Sequence, residues 1–114
     1  MSKLVLSKKQ LEYLDWEFGV FFHFGIRSFY PGHYDWDGKD MPLSAFNPTE
    51  FDPYEWTETA KKAGAKYVIL TTKHHDGFAL WPSAYTEYGV KNTPWKGGKG
   101  DVVKEYVDAA RKSG

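Results

Sequence analysis

Two short, almost unbroken apolar runs constrain this chain more than any other feature: Gly19-Val20-Phe21-Phe22-His23-Phe24-Gly25 and Lys66-Tyr67-Val68-Ile69-Leu70-Thr71-Thr72. Neither alternates apolar with polar residues, as a strand with one wet face would, so each reads as a strand buried on both faces. Between them, Asp52-Pro53-Tyr54-Glu55 marks the start of a helix. Asp52 stands at the N-cap, Pro53 at the first helical position, and Glu55 where it can bond back to the cap. Trp56, Ala60 and Ala63 then form a stripe at helical spacing, and Gly64 supplies a left-handed stop. A strand, a helix and a second buried strand in this order predict parallel strands joined by a right-handed crossover.

The flanks extend the same rhythm. Ser7 with Gln10 makes a capping box, and Leu11 and Leu14 follow at helical spacing, so a short helix is expected over residues 7–17. Asp101 caps a last helix with Val102, Val103, Tyr106, Val107 and Ala110 facing inward and Gly114 as its stop. The stretches 25–51 and 76–100 have no periodicity and many turn formers, among them Pro31-Gly32, Asn47-Pro48 and Gly97-Gly98. Irregular loops of this length are uncommon unless functional, which makes the first the expected specificity loop. The class is therefore α/β. Two strands alone leave both sheet edges open and cannot cover both of their faces. Residues 1–114 thus read as a leading helix and about two βα units, incomplete in this chain, of a larger assembly such as a barrel of about 250 residues.

Composition removes several functional classes. Fifteen basic and fifteen acidic residues cancel, leaving no electrostatic footprint for nucleic acid. There is no cysteine, hence no disulfide framework and no thiolate metal site. The N-terminal apolar stretch is too short for a signal peptide and nothing approaches the roughly 20 apolar residues of a membrane span, so no membrane partner and a cytoplasmic location are expected. Aromatic residues make up 18% of the chain; filling a core is the simpler use for them, and stacking on a sugar face the alternative.

In parallel α/β folds the working rim lies at the C-terminal ends of the strands. His23 closes the first run, and His74 and His75 follow the second, within Lys73-His74-His75-Asp76-Gly77. Three imidazoles at one rim admit several uses besides a purely structural one. A metal site would take two or three of them with a carboxylate such as Asp35 or Asp76, although adjacent residues in an extended chain point to opposite sides. Acid-base catalysis lacks a neighbouring nucleophile or paired carboxylate. Polyol binding suits them, because a neutral imidazole offers one donor and one acceptor, and Tyr34 and Trp36 could cover an apolar sugar face.

Five segments in order, Phe18 to Gly25, Phe46 to Asp52, Ala60 to Phe78, Leu80 to Ser83 and Gly100 to Glu105, resemble the N-terminal part of the α-L-fucosidases of glycoside hydrolase family 29. The resemblance implies a (β/α)8 TIM-like barrel, a hydrolase acting with retention on terminal α-L-fucosyl linkages, no cofactor or metal, and a fucosylated glycan or glycoside as partner. It implies that His23, His74 and His75 bind fucose hydroxyls. The family carries a glutamate-tryptophan pair after its first strand; here Asp35 and Trp36 stand in that place, a departure by one methylene. The nucleophilic aspartate and the acid/base glutamate are expected beyond residue 114, so the chain alone is expected to be inactive and to self-associate through its open strand edges. Family members are often exported. Two other readings stand beside this one: a standalone carbohydrate-binding or interaction module, and a metal-dependent TIM-barrel hydrolase.

Overall fold

A computed structural model describes residues 4–30 and 39–114. The helix α1 spans Lys8–Trp16, β1 Gly19–Phe22, α2 Pro53–Lys62, β2 Tyr67–Leu70 and α3 Val102–Ser113, with four short 3-10 turns between them. The two strands pair in parallel, Gly19 against Tyr67 through Phe22 against Leu70. One further bond beyond each end, Lys66 N to Phe18 O at 2.8 Å and Thr71 N to Phe22 O at 3.1 Å, accounts for the wider strand expected from sequence.

Local signals set the helix ends. Ser7 and Gln10 form both bonds of the capping box, at 3.2 and 2.7 Å. Asp52 Oδ1 accepts from the backbone amides of Tyr54 and Glu55 at 3.1 and 3.3 Å. At the other end of α2, Gly64 at φ +96° donates to Lys61 O and Ala65 donates to Ala60 O, both at 3.0 Å, which completes a Schellman stop. Asp101 Oδ1 takes the Lys104 amide at 3.0 Å, and Gly114, at φ +85°, ends α3.

Tertiary packing departs from the sequence reading in four respects. The strands are not buried on both faces: Phe21 is 60% exposed and Val20 and Phe22 only half-buried, because β1 and β2 have no other strand beside them among the described residues. On α2 the buried positions are Pro53, Thr57 and Ala60, while Trp56 is half-buried and Ala63 exposed. On α3 Val102 and Tyr106 are buried as anticipated, Val103, Val107 and Ala110 are only half-buried, and Ala109 and Ser113 complete the buried face. Thr57 and Ser113 are buried because their hydroxyls bond to each other at 2.7 Å where α2 crosses α3. Lys61 Nζ donates to Ser113 O at 2.7 Å beside them.

The fourth departure concerns the irregular stretches, which hold most of the core. Ile26 and Phe46 from the first and Phe78, Ala79, Leu80, Val90 and Trp95 from the second are essentially inaccessible. They pack with Leu70 of β2 and Val102 and Tyr106 of α3. The second stretch holds its course by backbone bonds: Leu80 donates to Thr72 O, Ala79 to Tyr88 O, Val90 to Ala79 O and Val102 to Leu80 O, all at 2.9 to 3.1 Å. Aromatic abundance is thus used chiefly for packing. The core sits beyond the C-terminal ends of the strands and supports the loops that leave them.

Candidate functional site

The hydrogen-bond ladder brings β1 and β2 into register, so the residues that follow their last pair, Phe22 and Leu70, emerge side by side. His23 follows Phe22 directly; its Nδ1 and the Thr71 hydroxyl are 2.9 Å apart. His23 stacks on the exposed ring of Phe21, 5.8 Å between centroids and 3° between planes. With Nδ1 engaged by Thr71, Nε2 is the ring position left for another hydrogen bond.

After Thr72 the chain leaves the strand and turns. The Gly77 amide donates to His74 O at 2.9 Å, closing a four-residue turn across His75 and Asp76, and Gly77 sits at φ +83°, a conformation that favours glycine. This turn removes the difficulty of opposite-facing neighbours. The rings of His74 and His75 lie 4.1 Å apart at 61°, and the His74 ring meets the His23 ring edge-on at 6.3 Å. All three histidines are exposed. The rim therefore gathers three imidazoles from two successive units, open to solvent and close enough for neighbouring hydroxyls of one small molecule.

Asp76 does something different from what its position beside the histidines suggests. Its Oδ1 accepts from the Phe78 amide at 3.0 Å, and its Oδ2 lies 3.8 Å from Arg27 Nε, both side chains being nearly buried. Arg27 comes from the 3-10 turn Ile26–Phe29 that follows β1, and donates to Lys39 O at 2.6 Å. Asp76 thus faces the protein rather than the rim, which removes it as the carboxylate partner of a metal. Among the described residues no three His, Cys, Asp or Glu side chains gather around a point that could hold an ion. Asp35 and Trp36, the two other sequence-derived contacts, lie outside the described residues. Farther back, Tyr88 donates to Met41 O at 2.8 Å, which fastens the second long loop to the first, and Tyr30 donates to Pro42 O within the first. Burial pushes the Tyr88 phenol upward, against the bond to Met41.

Parallel strand ends, a histidine after the first and a His-His turn after the second now stand beside the comparisons with known proteins. The family model for α-L-fucosidases matches residues 2–114. The chain belongs to the α-L-fucosidase family. It is 44% identical over 113 residues to α-L-fucosidase 1 of Arabidopsis thaliana, covering 96% of this chain and 22% of that protein. A Bacteroides thetaiotaomicron structure provisionally assigned as an α-L-fucosidase superposes with a TM-score of 0.89 at 51% identity, over 99% of this chain and 24% of that one. A glycoside hydrolase 29 family member from a rumen bacterium does so with a TM-score of 0.87 at 44% identity, over 95% and 19%. The chain spans less than a third of the length of each of these fucosidases.

Two residues at or behind this rim were missed by reasoning from sequence. Thr71 reads in the sequence as an ordinary β-branched strand residue, and Arg27 stands unmarked in the first irregular stretch. The sequence carries no signal for Arg27, because its burial beside Ile26 is visible only in the fold, where a charge needs a partner.

Proposed function

We propose that residues 1–114 form the N-terminal part of the catalytic barrel of a retaining α-L-fucosidase, a leading helix and about two βα units, and that they supply part of the fucose subsite. The observation that carries this reading is the convergence of His23, His74 and His75 on one open rim at the C-terminal ends of paired parallel strands, in a chain of the fucosidase family. Each neutral imidazole matches a hydroxyl as donor or acceptor, and three of them at fixed separation select a pattern of hydroxyls rather than a single one. Phe21, stacked under His23 and exposed, offers an apolar surface beside them. Asp35 and Trp36 are proposed to complete the subsite, the shorter aspartate standing where the family carries glutamate.

Retaining hydrolysis needs a nucleophile and an acid/base, two carboxyl groups about 5 Å apart across the glycosidic bond. Asp76, the carboxylate next to the histidines, is held by Arg27 and the Phe78 amide. The catalytic pair is therefore assigned to parts of the polypeptide other than these residues, and the 114-residue chain binds without cleaving.

The test uses the full gene-encoded protein. It should hydrolyse an aryl α-L-fucoside with retention at the anomeric carbon, and His75→Ala should weaken L-fucose binding in titration calorimetry about ten-fold or more while leaving the melting temperature nearly unchanged. Unaltered affinity in His75→Ala would take His75 out of the subsite, and turnover by the isolated 114-residue chain would contradict the assignment of the carboxylates.

A further inference from the structure

Nothing in the established activity of the family requires a buried ion pair behind the histidine rim, yet one is present. We infer that Arg27 and Asp76 form an internal clamp that positions the His23 and His74-His75 segments relative to each other; the inference rests on the proposed reading of these histidines as a sugar subsite. The clamp joins the two βα units at one point. Arg27 lies four residues after His23, in the 3-10 turn Ile26–Phe29, whose start is fixed by the Gly25 amide donating to Ser28 Oγ at 3.2 Å. Asp76 directly follows His75 within the turn closed by the Gly77 amide and His74 O.

Each carboxylate oxygen has its own task. Oδ1 takes the Phe78 amide at 3.0 Å and sets the turn's exit, and Phe78, 2% exposed, is anchored in the core. Oδ2 meets Arg27 Nε at 3.8 Å. The side chains are only 10% and 7% exposed, so water screens their attraction weakly and displacement of either leaves a buried charge. Arg27 also reaches Lys39 O at 2.6 Å, farther along the first irregular stretch. One guanidinium thus meets both the turn after β2 and a second point of the first irregular stretch. Arg27 and Asp76 are positioning residues: they touch the backbone and each other, while the histidines meet the ligand.

Substitutions in the full gene-encoded protein separate positioning from mere stabilisation. Asp76→Asn keeps an oxygen for the Phe78 amide but removes the charge facing Arg27; the double variant Arg27→Gln/Asp76→Asn removes both charges of this pair and is the safer one to fold. Both are expected to raise the Kd for L-fucose about ten-fold, with the double variant no worse than the weaker-binding single one. Arg27→Lys, which keeps the charge, is expected to retain Kd within about three-fold of wild type. In heteronuclear NMR, the ring signals of His74 and His75 should move in the first two and stay in the third. A double variant that binds L-fucose as wild type does, with unmoved histidine signals, overturns the inference whatever its melting temperature. If wild type itself takes up no L-fucose, the subsite reading falls and the histidine signals alone decide: moved signals uphold the clamp and unmoved ones end it.

Discussion

Phe21 and Phe46 offer the sharpest test of how this chain is held together. Phe21 lies in the middle of β1, yet 60% of it is exposed; Phe46 lies in an irregular stretch and is wholly buried. The Phe46 ring has Phe78 at 5.0 Å, Phe29 at 5.1 Å and Phe24 and Trp95 at 5.8 Å, tilted or edge-on. Truncation to alanine loses the transfer energy of the ring and leaves a cavity walled by four aromatics that cannot all collapse into it. The expected cost is about 3 to 5 kcal/mol. Phe21→Ala removes a largely solvated side chain and should change stability by about 0.5 kcal/mol or less. Urea unfolding of the full gene-encoded protein, followed by tryptophan fluorescence and far-UV circular dichroism, measures both. With a slope of about 3 kcal/mol per molar, the midpoint should fall by about 1 to 2 M for Phe46→Ala and barely move for Phe21→Ala. A shift for Phe21→Ala equal to or larger than that for Phe46→Ala would refute the core described here.

Three further outcomes follow from single contacts. Asp52→Ala removes the acceptor for the Tyr54 and Glu55 amides and should cost about 1 kcal/mol in the same urea assay, with Asp52→Asn recovering most of it. Gly100→Ala would put a Cβ 2.4 Å from Trp95 Cε3, and Trp95 is only 3% exposed; a loss of about 1 to 3 kcal/mol and a shifted Trp95 emission are expected, and an unperturbed variant would contradict this packing. Tyr106 is buried, its hydroxyl has no hydrogen-bond partner among the described residues, and burial pushes its pKa up to about 12. Because the folded chain holds this proton more tightly than the unfolded one, its contribution is complete below about pH 10 and is lost as pH rises through about 12. Tyr106→Phe should leave stability at neutral pH equal or higher and flatten the alkaline decline; an equally steep decline in the variant would assign it to other groups.

Much of this architecture was legible in the sequence because its causes are local. Ser7 with Gln10, Asp52 with Pro53, Gly64 and Asp101 each act on backbone groups within a few residues, so the helix ends could be placed from residue type and spacing alone. The parallel pairing followed from two apolar runs separated by a capped helix. The position of the three histidines at the strand ends required no more than that order.

Tertiary structure alone decided the rest. Whether a phenylalanine is core or surface depends on what lies across from it, and β1 has β2 on one edge and no strand on the other among the described residues. The stretches with no periodicity form the core because Phe46, Phe78 and Trp95 meet from distant parts of the chain, and irregular backbone leaves no repeating pattern to announce it. Asp76 beside two histidines looked available for a ligand, and only the fold shows it turned inward to an arginine from the other unit. His74 and His75 come together because a turn closed at Gly77 replaces the extended geometry that would have parted them. Caps and strand order are written in nearest-neighbour hydrogen bonds, whereas the direction each rim side chain faces is set by contacts between residues far apart in sequence.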